Sequence, residues 1–113
     1  MKIFSTTNYK DIASANKISL IFFTSSDCHL CVKLKPILKK LEKQYRDVDF
    51  YICDINKEKE LTKMLVKDDG VPTGFVMGND SVFKIKDPRE PDNECWYSKK
   101  YLEELIEALL LGE

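Results

Sequence analysis

The sequence predicts an α/β domain in which helices cover both faces of a mixed sheet of four to five strands. Three observations predict it. Ile18 to Thr24 is a nearly continuous apolar run, rich in β-branched and aromatic residues, that suits a central strand buried on both sides. A helical apolar period begins directly after it, from Cys28 to Arg46. Strand-like and helix-like segments then alternate to the end of the chain. Helical crossovers make the first strands parallel, and a late hairpin makes its own pair antiparallel. At 113 residues this is one domain, 1–113, long enough to bury a core without covalent staples.

Each element has its own signature. Thr7 to Ala15 reads as a weak helix with Thr6 or Thr7 as cap. Within the long helix, Leu34, Ile37, Leu38, Leu41 and Tyr45 form one stripe, and Lys33, Lys35, Lys39, Lys40 and Lys43 lie largely outside it as a solvated face. Pro36 removes one backbone hydrogen bond from that helix and is expected to bend it. Val48 to Cys53 is a second strand, with Cys53 a packing residue. Asn56 is placed to cap a helix over Lys57 to Val66, which Asp68-Asp69-Gly70 ends. Pro72 to Met77 and Ser81 to Lys86 form a hairpin around Gly78-Asn79-Asp80. An extended loop over 86–97 follows. Ser98 then caps a last helix that turns Leu102, Leu105, Ile106, Leu109 and Leu110 inward and ends at Gly112.

Composition excludes several function classes. Lys and Arg number 18 against 19 Asp and Glu, a net charge of −1, so no global field draws the chain to nucleic acid or to an anionic membrane. The longest apolar runs, Leu20 to Phe23 and Ala108 to Leu111, are far too short to span a bilayer. Met1 to Asn8 lacks the apolar stretch of a secretory signal, and with Met1 as the native start a cytoplasmic location is expected.

Cys28-His29-Leu30-Cys31 carries the chemistry. On a helix, residues three apart share a face, so the two sulfurs can reach bonding distance and close a very small ring. Such a ring restricts the unfolded chain little, which suits a reversible dithiol better than a staple. Cys28 opens the helix, where unpaired N–H groups and the positive end of the helix dipole favour an anionic sulfur. Cys31, one turn deeper, is expected to be less exposed and less acidic. Cys28 is then the attacking sulfur and Cys31 the resolving one. Asp27 is expected to oppose ionisation of Cys28, and His29, when protonated, to assist it. Three other uses of the cysteines compete: a disulfide scaffold including Cys53 and Cys95, a zinc site, and plain packing. Zinc lacks ligands, because the single histidine lies between the two cysteines. No metal and no cofactor is therefore expected.

The chain resembles thioredoxin. The likeness rests on the Cys-x-x-Cys pair after a core strand, on Pro36 five residues past the second cysteine, and on Gly70-Val71-Pro72-Thr73 ahead of a strand. It runs over roughly residues 7 to 86 and again over the final helix. It implies a thioredoxin-like fold and a thiol–disulfide oxidoreductase with Cys28 as nucleophile and Cys31 as resolving thiol. It also implies a cis Pro72 facing the dithiol and a Val71 backbone that binds an extended substrate segment. The partners implied are disulfide-containing proteins and a reductase that restores the dithiol.

The departures are equally specific. The family's Trp-Cys-Gly-Pro-Cys is here Asp27-Cys28-His29-Leu30-Cys31. Phe22 stands where the family tends to have a buried aspartate, and Ile52 where it has the accompanying lysine, so resolution by Cys31 is expected to be slow. Trp96, in the extended loop, is expected to supply the contact surface that the missing tryptophan would give, with Cys95 close by as a third thiol; an ordinary surface loop is the competing expectation. A reductant of protein disulfides is the leading function. A disulfide oxidant or isomerase, and a binding module without catalysis, are the alternatives.

Overall fold

All six residues of the central strand, Ser19–Thr24, are buried. The pleat sends Leu20 and Phe22 into one apolar cluster and Ile21 and Phe23 into the other. This is why its sequence shows no polar alternation. In the computed structural model, which describes residues 1–112, the elements in chain order are β1 (Lys2–Ile3), α1 (Tyr9–Ser14), β2 (Ser19–Thr24), α2 (His29–Gln44), β3 (Asp49–Asp54), α3 (Lys59–Leu61), β4 (Thr73–Gly78), β5 (Ser81–Lys84) and α4 (Lys99–Leu111). They build a five-stranded sheet of order β1-β3-β2-β4-β5. β1 and β2 run parallel to β3, while β4 is antiparallel to β2 and to β5. The α/β class and the mixed sheet follow the expectation.

The two faces are covered by different helices. Leu34, Leu38 and Leu41 of α2 and Leu102 and Ile106 of α4 pack on Leu20, Phe22, Phe50 and Val76. Ile12 of α1 and Leu61 of α3 pack on the opposite face with Phe4, Phe23, Tyr51 and Phe75. The far end of α2 is tied to α4 by Tyr45, whose hydroxyl donates to Glu107 at 2.7 Å. Gln44 donates to Glu103 at 2.9 Å beside it.

Several local expectations are corrected. β1 was not foreseen, because two exposed residues carry no periodicity; they pair with Tyr51 and Ile52. α1 starts after Asn8 rather than Thr6 or Thr7, and the Asn8 side chain accepts from the Ser5 N–H in a tight turn. α3 starts after Glu58, not Asn56, whose N–H is held by the Asp54 carboxylate. The helix then widens to a π-helical turn over Thr62–Val66 and stops at Lys67, which has φ 59°. In the hairpin Gly78 pairs with Ser81, so the loop is only Asn79-Asp80, both at positive φ. Gly78 itself is required, since a Cβ there would lie 2.1 Å from the Lys17 carbonyl oxygen. Leu110 turns outward, at the edge of the apolar stripe in the last turn of α4.

Candidate active site

β2 delivers the chain to the start of α2 through Ser25-Ser26-Asp27. The Cys28 N–H donates to the Ser25 carbonyl at 3.2 Å, and Cys28 takes an extended conformation as the N-cap of α2. Its sulfur accepts from the Cys31 N–H at 3.2 Å, in the place usually taken by a serine or aspartate oxygen. Cys28 is half-buried. Cys31, one turn on, is fully buried, and its thiol is pushed up to about 12, first by burial and then by its contact with Cys28. Lys35, a further turn along, pulls weakly in the opposite direction. Both cysteines are free thiols in this structure.

The loop before β4 faces this pair. The Val71–Pro72 peptide bond is cis. The Val71 carbonyl lies 3.7 Å from the Cys28 sulfur, within reach of its thiol proton. Thr73 folds back so that its hydroxyl donates to the Gly70 carbonyl, which fixes the loop. A groove of about 170 Å³ runs alongside, walled by Leu30, Val71, Pro72 and Trp96. The substrate-side residues expected from the sequence, Val71, Pro72 and Trp96, thus share one groove, with Leu30 of the dithiol motif as its fourth wall. Asp27 accepts from the Ser25 hydroxyl, so its carboxylate is turned to the loop, and His29 is exposed as the first residue of α2.

The extended loop is more ordered than a surface link. Asp92 and Trp96 exchange both backbone hydrogen bonds, at 3.0 and 2.9 Å, closing a small hairpin. On either side of Trp96, Cys95 and Tyr97 are buried in the cluster beneath α2 and α4. The Cys95 thiol donates to the Tyr97 carbonyl at 3.3 Å and is pushed up to about 11, mainly by burial. Cys95 is therefore a core residue, not an incidental cysteine on a surface loop. Cys53, read as packing, is likewise fully buried.

Phe22 and Ile52 stand where the family tends to have a buried charged pair. Phe22 is fully buried, its ring edge-on to Tyr97 at 5.7 Å. The Tyr97 hydroxyl accepts from the Gly74 N–H at 3.2 Å. Gly74 has no room for a side chain: a Cβ would lie 2.7 Å from the Phe22 ring and 2.8 Å from Ile85. Among the described residues no group of three or more His, Cys, Asp or Glu is gathered to hold a metal ion. Leu30, Tyr97 and Asp87, the last of which hydrogen-bonds Trp96, were not singled out as site residues. The alternation of buried Cys95 and Tyr97 around a projecting Trp96 was the available signal.

Comparison with known proteins agrees with this fold. A thioredoxin family model matches residues 1–94. Mitochondrial thioredoxin-3 of Saccharomyces cerevisiae is 30% identical over 79 residues, covering 70% of this chain and 61% of that protein. The thioredoxin of Borreliella burgdorferi is 31% identical over 67 residues, or 58% of this chain and 57% of the relative. The matched stretch thus spans about three-fifths of those relatives' own length. Among solved structures, oxidized mitochondrial thioredoxin 3 from Saccharomyces cerevisiae superposes with a TM-score of 0.76 at 23% identity, covering 96% of this chain and 93% of that one. The thioredoxin of Malassezia sympodialis gives a TM-score of 0.75 at 19% identity, covering 96% and 89%.

Proposed function

Because this chain belongs to the thioredoxin family, we propose that it is a thiol–disulfide oxidoreductase acting as a reductant of protein disulfides. One observation carries the proposal: a half-exposed sulfur at a helix N-cap, beside a buried partner thiol and under a proline loop. The Cys28 sulfur, as thiolate, attacks one sulfur of a substrate disulfide. A Cys28–substrate bond forms and the substrate's own S–S bond breaks, releasing one substrate thiol. The Cys31 thiol then loses its proton and attacks Cys28, forming the Cys28–Cys31 disulfide and releasing the second substrate thiol. Two electrons and two protons pass to the substrate, and a reductase or a small dithiol returns them to the protein.

The surrounding groups serve the two halves of this exchange. The Cys31 N–H holds the attacking sulfur. Val71 offers backbone hydrogen bonds to an extended segment, Pro72 closes the cradle without adding an N–H beside the sulfur, and Trp96 lends an apolar wall. The second half is the harder one, because Cys31 is fully buried and its thiol is raised by that burial, while Phe22 stands where the family tends to have a carboxylate.

Reduction of insulin disulfides, with dithiothreitol as electron donor, tests the proposal. The parent protein is expected to accelerate precipitation of the insulin B chain, and Cys28→Ser to return it to the rate of dithiothreitol alone. A parent protein without activity contradicts the proposal and favours a binding module. A reduction potential more than about 100 mV above that of thioredoxin favours an oxidant.

A further inference from the structure

Trp96 is held in an unusual way. Its backbone has φ 67°, in the left-handed region that a bulky residue rarely adopts. The Asp92–Trp96 hairpin and the buried Cys95 and Tyr97 impose that conformation, and the half-buried indole, packed against the core, forms one wall of the groove. The indole N–H then donates to the Asp87 carboxylate at 3.1 Å. Lys84, on β5, lies 3.0 Å from Asp69 but 3.9 Å from Asp87. Asp69, Lys84 and Asp87 all line the same groove.

The charges do not balance. Two carboxylates share one ammonium, and Lys84 leans on Asp69. Asp87 is about half exposed, and one of its oxygens carries only the long contact to Lys84. An indole face beside an under-neutralised carboxylate is the chemistry that recognises a cation, since ring quadrupole and carboxylate attract it together. The groove also borders the loop whose Val71 carbonyl reaches the Cys28 sulfur.

We propose that Asp87 and Trp96 form a cation subsite of the groove, so that the preferred substrates are polypeptide disulfides with an Arg or Lys side chain next to the attacked cysteine. Asp87 acts on the substrate cation directly and also positions the indole. The naming of disulfides as substrates rests on the oxidoreductase function, whereas cation binding by Asp87 and Trp96 does not.

Three synthetic peptides test it, each with one internal disulfide and no tryptophan, differing only in Arg, Gln or Glu beside the attacked cysteine. The Arg peptide is expected to show a KM about two- to fivefold below that of the Gln peptide at unchanged kcat, with the Glu peptide above both. The spread should shrink in 1 M salt, where the screening length is about 3 Å. In Asp87→Asn, which keeps an acceptor for the indole, the Arg-to-Gln ratio should fall to about one; in Asp87→Glu it should persist. Equal KM values for the three peptides, or a ratio untouched by Asp87→Asn, overturn the proposal. Binding of the same peptides with both cysteines replaced by serine is followed through emission of Trp96, the single tryptophan. Arg-over-Glu binding without turnover of any peptide defeats the oxidoreductase function and leaves the subsite standing, whereas turnover without that order does the reverse.

Discussion

Cys28 and the other three cysteines occupy opposite kinds of environment. Cys28 is half-exposed at the tip of α2, with its sulfur held by an N–H. Cys31, Cys53 and Cys95 are buried, and burial is the leading reason their thiols are pushed up to about 12, 12 and 11. Cys31 differs from the other two chiefly in its neighbour: it lies one helical turn from Cys28 and exchanges contacts with it. In the proposed exchange, position alone sets this buried thiol apart from the two that only pack. The fold leaves one sulfur open to solvent and buries the other three.

The largest effect that sharpens this contrast is all-or-none. Cys31→Ser should leave the attack by Cys28 intact but stop the reaction at the mixed disulfide, so that one substrate chain accumulates per protein in non-reducing mass spectrometry. Rapid turnover by that variant would show that the buried thiol has no part. Next, the parent's release step depends on ionising a thiol raised to about 12. Decay of a preformed Cys28–substrate adduct should therefore accelerate about tenfold per pH unit between pH 6 and 9. A flat profile in stopped-flow measurements would break the contrast.

Another effect concerns the packing around Phe22 in the core. Gly74→Ala drives a methyl into the Phe22 ring and Ile85 and should cost about 1–3 kcal/mol in urea unfolding. The last effect is alkaline. The three buried thiols keep their protons in the fold to higher pH than in the unfolded chain, where they titrate near 9.0. Between about pH 9 and 12 the folded state therefore holds more protons. Stability should be undiminished below that window and fall as pH rises through it, which denaturation midpoints at stepped pH will register.

What could be read in the residues follows the strength of local signals. β2 and α2 were legible because a two-sided apolar run and a clean helical stripe each have one solution. The placing of Cys28 and Cys31 at a helix start was legible because a helical period opens directly after the core strand. The Gly70-Val71-Pro72-Thr73 loop was legible only through family likeness, since a proline before a strand is ordinary by itself. β1 could not be read: its two residues are held by the edge of β3, not by their own pattern. The loop at 86–97 was misjudged in part, because acidic residues and two prolines look like solvent-exposed chain. Its order comes from Cys95 and Tyr97 anchoring in a core formed by distant residues. The cation subsite of Asp87 and Trp96 lies wholly in that tertiary arrangement, in a groove that Asp69 and Lys84 also line.

Limited alkylation of the reduced, folded protein tests the inequality of the four sulfurs most directly. With a few equivalents of iodoacetamide at neutral pH, peptide mapping should find the label on Cys28 well before it appears on Cys31, Cys53 or Cys95. Label spread evenly over the four, or arriving first at a buried cysteine, would contradict the assignment of Cys28 as the sulfur that meets the substrate.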